Sequence, residues 1–178
     1  MMDINNLKIY DILDVRDPGW SFNLLFRKVS GSWGGHVAPV IQKGGLLGMG
    51  NSHASGSEWQ PLDRLEVRLD NGEIDVRVYR PRYYTIGQLI RASNWWLQHV
   101  DGTGYDWWAY IGLAIKVLCW DSWQIDTGKE SNWYCVEGAM DGLRFGAGIP
   151  LLDGEIYTIR ALELFAERNK RLDFIGYI

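Results

Sequence analysis

A chain of 178 residues with 47% hydrophobic and 22% charged side chains is long enough for one domain over residues 1–178, and too apolar for wholesale disorder. A net charge of −4 without a tight Lys/Arg cluster argues against a phosphate backbone as partner, so no nucleic acid is expected. Two cysteines, Cys119 and Cys135, are too few for a disulfide framework.

The N-terminus carries Asp3, Lys8, Asp11 and Asp14 and has no apolar stretch of the kind a signal peptide needs. The longest apolar run, Trp107 to Ile115, is broken by Lys116, well short of the ~20 residues of a membrane span. No transmembrane segment is expected. A reducing, cytoplasmic setting with both thiols free follows as the default.

The first half reads as strands and turns. Leu7 to Val15 is a β-prone run interrupted by Asp11 and Asp14, and Asp17-Pro18-Gly19 marks a turn. Strands are expected at His36–Gln42, ended by Lys43-Gly44-Gly45, and at Leu46–Ser52, followed by a Gly/Ser-rich loop up to Ser57. Leu65–Leu69 and Ile74–Tyr79 alternate apolar and charged residues across Asp70-Asn71-Gly72, which predicts a hairpin. After Pro81 the period lengthens. Ile86, Leu89, Ile90, Leu97 and Val100 form a helical stripe closed by Asp101-Gly102. Trp107–Trp120 predicts a helix apolar nearly all round and therefore buried. A third helix starts near Ser131 or Asn132, both good N-caps, and runs to Gly146 with Val136, Ala139, Met140 and Leu143 on one face. A fourth, amphipathic helix covers Thr158 to Lys170. Strands followed by helices indicate an α+β fold.

Two segments carry chemistry. Cys135 falls in the first turn of the third helix, where unpaired amides stabilise a thiolate and an oxyanion beside it. Position alone leaves a second role equally open, that of a small buried hydrophobe. Cys119, inside an apolar helix, reads as structural. His36 leads the run Gly35-His36-Val37-Ala38-Pro39-Val40-Ile41, on one strand face with Ala38 and Val40, and is the candidate base. A catalytic imidazole needs an orienting acceptor; Asn51, at the end of the next strand, is the candidate and Ser52 the second choice. His53 and His99 read as surface residues.

Other chemistries find little. Gly48-Met49-Gly50-Asn51-Ser52-His53 misses the dinucleotide fingerprint at its sixth place, and no Walker loop or HExxH is present. Three scattered histidines and two cysteines lack zinc-ligand spacing, so neither metal nor cofactor is expected. Arg77, Arg80 and Arg82, interleaved with Tyr79, Tyr83 and Tyr84, read as a solvated strand end rather than a polyanion site. Ten Trp suit core packing, with one or two free to line a cleft.

In order and spacing these pieces resemble the circularly permuted papain-like hydrolases of the NlpC superfamily, especially the YiiX/YebB-like branch. The corresponding segments are Tyr10-Asp11-Ile12-Leu13, Gly35 to Ile41, Gly102-Thr103-Gly104-Tyr105-Asp106, and Tyr134-Cys135-Val136-Glu137. The resemblance implies Cys135 as nucleophile, His36 as its base and Asn51 as the orienting residue. Tyr105, Trp133 and Tyr134 would line the substrate cleft, with Glu137 structural. Val136 replaces a common small polar residue, Asn51 stands where an acid is frequent, and Pro39 removes a ladder donor inside its strand.

The expected fold is an antiparallel sheet, a half-open barrel in a permuted papain-like arrangement, packed against helices. The expected function is hydrolysis of a peptide, amide or ester bond by a Cys135 thiolate and a His36 base. An acyltransferase using lipid or acyl-thioester donors is one alternative. A catalytically silent binding or structural module on the same scaffold is another. The sequence does not set the oligomeric state.

Overall fold

The computed structural model describes residues 2–18, 27, 31–53, 55–106, 135–148, 159–168 and 171–178. Among them six strands form one antiparallel sheet: β1 (Ile12–Arg16), β2 (His36–Lys43), β3 (Leu46–His53), β4 (Gly56–Pro61), β5 (Asp75–Pro81) and β6 (Leu172–Tyr177). Their order across the sheet is β4-β3-β2-β1-β5-β6. The described helices are α1 (Leu62–Asp70), α2 (Ile86–His99), α3 (Cys135–Asp141) and α4 (Ile159–Arg168). α3 runs on into a π turn at Gly142–Gly146. The fold is α+β, as the sequence implies. The sheet is open rather than a half-barrel: β4 and β6 end it and do not pair with each other.

Alternation along the strands divides the core in two. Ile12, Val37, Ile41 and Tyr79 face α2, α3 and α4. Leu13, Val15, Ala38, Val40 and Met49 face α1 and the N-terminal segment. Both faces are covered, so the central strands are apolar on both sides.

The predicted Leu65–Leu69 strand is instead helix α1, and there is no hairpin at Asp70-Asn71-Gly72. Five residues of alternation are too few to separate a strand from a helical stripe, and Leu62, Leu65 and Leu69 also fit i, i+3, i+7. Leu65 is buried while Val67 is 58% exposed, as a helix face requires. Asn71-Gly72 ends this helix: their amides bond the carbonyls of Val67 and Leu69, and Gly72 takes φ +65°. The polar loop up to Ser57 gives way at Gly56 to β4, and β6 at Leu172–Tyr177 carried no sequence signal that we read. The run from Leu7 becomes a strand only at Ile12. The stripe from Ile86 is α2, opened by a reciprocal cap between Thr85 and Gln88. The predicted Trp107–Trp120 helix, Cys119 and the caps Ser131 and Asn132 lie outside the described residues.

Three glycines four residues apart set where α3 lies. A Cβ on Gly138 would meet Val100 at 3.3 Å, one on Gly142 would meet Tyr10 Oη at 1.7 Å, and one on Gly146 would meet Ala92 Cα at 2.6 Å. The backbone of α3 and its π turn therefore rests directly on α2 and on Tyr10, whose hydroxyl donates to the Ala139 carbonyl at 3.0 Å. Replacing Gly142 by Ala should destabilise the protein by about 1–3 kcal/mol. That corresponds to roughly 2–4 °C of Tm per kcal/mol in a chain of this size. Adding Tyr10→Phe should recover part of the loss; thermal unfolding of the single and double variants checks this, and additive losses would contradict it.

Candidate active site

The site forms where the sheet comes apart. The β2–β3 ladder runs only from Lys43↔Leu46 to Val40↔Met49. Residues His36 to Pro39 pair with β1 alone. Val40 donates to Asp11 on the β1 side, so alternation turns the odd-numbered positions of β2 toward β3. Pro39 is one of these and has no N–H, which stops the ladder there. Val37, the next odd position, is left with an amide directed toward β3 and no strand to receive it.

Cys135 packs in the same buried cluster as Val37. The backbone amides of Val37, Val136 and Cys135 itself act on its thiol, each favouring the thiolate. The first comes from the sheet and the other two from the start of α3. The side chain is 6% exposed. Burial outweighs the three amides and pushes the thiol up to about 11, with the nearby Asp14 carboxyl adding to the rise. The helix start therefore does not yield the low thiol pKa that its position alone predicts.

His36 is covalently next to Val37 and half-buried. Its Nε2 meets Asn51 Oδ1 at 2.5 Å, across the gap between β2 and β3. Asn51 in turn donates from Nδ2 to Gln60 Oε1 at 3.1 Å. Burial lowers the imidazole to about 4; the Asn51 bond and Asp17 oppose this, while His53 and Arg68 add to it. With Nε2 engaged, Nδ1 is the nitrogen left for the reacting side. No hydrogen bond joins His36 to Cys135: the register puts His36 on the face of Ala38 and Val40, whereas Cys135 packs with Val37 on the other face.

The other predicted site residues are distributed as follows. Tyr105 packs, half-buried, against the cluster that contains Cys135 and Val37. Ser52, the second choice for the third position, bonds Ser57 at 2.9 Å instead. Glu137 lies in the first turn of α3. Trp133 and Tyr134 lie outside the described residues. The strand-end arginines are engaged with the protein itself: Arg80 pairs with Asp11 at 2.6 Å, Arg82 with Asp173, and Arg77 sits 4.2 Å over the Trp33 ring.

Sequence reasoning missed two acids. Asp14, opposite Val37 on β1, is fully buried, and among the described residues neither carboxyl oxygen has a hydrogen-bond partner. It is accommodated because residue 34 is glycine, where a Cβ would lie 1.6 Å from Oδ1. Glu163 of α4 accepts from the amides of Trp33 at 2.6 Å and Gly34 at 3.3 Å, fixing the turn that leads into His36. Its one sequence signal is position: it falls four residues after Ile159, on the apolar stripe of an amphipathic helix.

Burial, with Glu163 beside it, raises Asp14 from 3.8 to about 8; Arg77 and Arg27 oppose the shift. Its proton is held more tightly in the folded chain, so stability falls as pH rises from about 4 to about 8. Asp14→Asn should therefore raise Tm at pH 8 by several degrees, with the gain shrinking toward pH 5. Parallel thermal melts at the two pH values check it, and a gain independent of pH would contradict it.

Neither a family model nor a curated protein matches this chain. Among solved structures, the crystal structure of metalloprotein YiiX from Escherichia coli O157:H7, DUF1105, is similar, with a TM-score of 0.58 at 14% identity. The match covers 94% of this chain and 86% of that one. The likeness shows a shared fold, and it agrees with the YiiX-like branch of the motif resemblance.

Proposed function

We propose that this chain is a cysteine hydrolase acting on an amide, peptide or ester bond, in a permuted papain-like arrangement of the NlpC superfamily. Cys135 is the nucleophile, His36 the base and Asn51 the residue that orients the base. The observation that carries the reading is the His36–Asn51 bond, with Cys135 packed in the cluster that holds Val37, the residue after His36. Tyr105, Trp133 and Tyr134 line the substrate cleft. A reducing, cytoplasmic setting would keep the nucleophile as a thiol.

The electrostatics favour a particular order of events. With the thiol near 11 and the imidazole near 4, the gap disfavours thiolate–imidazolium by about 9–10 kcal/mol at 1.36 kcal/mol per pKa unit. Even at a separation of about 4 Å, attraction between unit charges would return only about 4 kcal/mol at an effective dielectric of 20. The resting pair is therefore neutral. Proton transfer from sulfur to His36 Nδ1 accompanies attack of sulfur on the carbonyl carbon. The proton then goes to the departing amine or alcohol as its bond to carbon breaks. Water, deprotonated by the same imidazole, cleaves the thioester and restores the thiol. An acyl acceptor in place of water makes the same site a transferase.

One observation favours a second reading. A cysteine 6% exposed with a raised pKa is what a packing residue shows, and on that reading the chain is a catalytically silent binding or structural module. A metal has less support: among the described residues no three His, Cys, Asp or Glu side chains converge, so the residues present do not fit one and no step runs through it. No helix among them is long and apolar enough to cross a membrane.

Turnover of a panel of p-nitrophenyl esters and peptide anilides tests the proposal. Cys135→Ala should abolish kcat/KM, and His36→Ala should lower it by about 10²–10⁴-fold. A base must be unprotonated, so the acid limb should fall near pH 4 rather than near 6.5. Full activity in Cys135→Ala would overturn the mechanism.

A further inference from the structure

We infer that Gln60 and Glu58 are positioning residues that fix which nitrogen of His36 carries the proton. The inference deepens the reading of His36 as a base and rests on it, but its test needs no turnover.

Three hydrogen bonds run in one direction from the imidazole to a carboxylate. His36 Nε2 lies 2.5 Å from Asn51 Oδ1, Asn51 Nδ2 donates to Gln60 Oε1 at 3.1 Å, and Gln60 Nε2 donates to Glu58 Oε1. An ionised carboxylate only accepts, so Glu58 requires the NH₂ end of Gln60. The oxygen of Gln60 is then turned to Asn51 and requires its NH₂ end. Asn51 therefore presents its oxygen to His36, and Nε2 must be the protonated nitrogen. Nδ1 keeps a bare lone pair, the form in which it can take a proton from sulfur.

The opposite sense fails at its far end. It would set the Gln60 oxygen against the Glu58 carboxylate, two acceptors facing each other with no proton between them. It would also set the Asn51 NH₂ against Nε2, forcing the imidazole proton onto Nδ1 and blocking the base. The register makes the one-way chain possible: Asn51 stands opposite Glu58 and Met49 opposite Gln60, so Asn51 and Gln60 are diagonal neighbours on one face of β3 and β4. His53 meets the same oxygen of the terminal carboxylate, with Nε2 at 3.3 Å from Glu58 Oε1.

The test is the tautomer of His36, read at pH 7 from two-bond proton–nitrogen correlations in protein labelled with ¹⁵N-histidine. The wild type should show the Nε2–H form in about tenfold excess, the ratio one hydrogen bond sets. Gln60→Glu keeps an acceptor toward Asn51 and should retain that excess. Gln60→Met lets Asn51 rotate and should give a mixture. Glu58→Lys replaces an acceptor by a donor, reverses the chain and should move the proton toward Nδ1. Amide spectra of each variant report folding, and Gln60→Glu controls for general damage at this site. A wild-type proton on Nδ1, or an unchanged ratio in both Gln60→Met and Glu58→Lys, would overturn the inference. A tautomer that follows the chain while Cys135→Ala keeps full turnover would leave the positioning intact and remove the hydrolase.

Discussion

A backbone amide with no strand to bond is the constraint on which this structure turns. Pro39 stops the ladder between β2 and β3, and the amide of Val37 beyond it would otherwise be buried unpaired, at a cost of about 1–3 kcal/mol. At the start of α3 the Cys135 thiol is the group on which this amide acts. For the sulfur to reach it, α3 must lie close against its neighbours, which the glycines at 138, 142 and 146 permit. A sheet defect, a helix start and a small-residue stripe thus all bear on the position of one atom.

The same burial that fixes the sulfur also sets its chemistry. Three amides stabilise a thiolate, yet desolvation exceeds them, and the His36 imidazole is shifted the opposite way by the same cause. A neutral thiol and a neutral imidazole make a poor ion pair, so on the proposed mechanism proton transfer awaits a substrate that supplies the compensating bond. Asp14 adds to this environment. A carboxylic acid that holds its proton to about pH 8 places no negative charge beside the sulfur at lower pH, whereas a carboxylate there would oppose a thiolate further.

Much of this was legible in the sequence, for identifiable reasons. The β2 and β3 strands have apolar runs ended by Gly pairs, and the Thr85 cap announces α2. Cys135 at a helix start and His36 at a strand start follow from local pattern, and Asn51 from the register of adjacent strands. Helix α1 was misread because its apolar positions satisfy both periods over a short span, and only tertiary burial of Leu65 decides between them. Glu163 and Asp14 were invisible as functional neighbours because nothing local distinguishes them among 22 acidic residues. Their roles depend on where a distant helix lands. The raised thiol pKa was likewise out of reach, since it depends on burial rather than on position in a helix.

A cysteine hydrolase requires that the Cys135 sulfur accept an acyl group with the help of His36. The direct measurement is mass-spectrometric trapping of the thioester after a brief exposure to p-nitrophenyl acetate, in protein carrying Cys119→Ser. An acetyl group on Cys135, formed at least about tenfold more slowly in His36→Ala, is the result expected of a nucleophile with a general base. No acetyl on Cys135, or equal rates with and without His36, would contradict it and leave the cysteine as a packing residue.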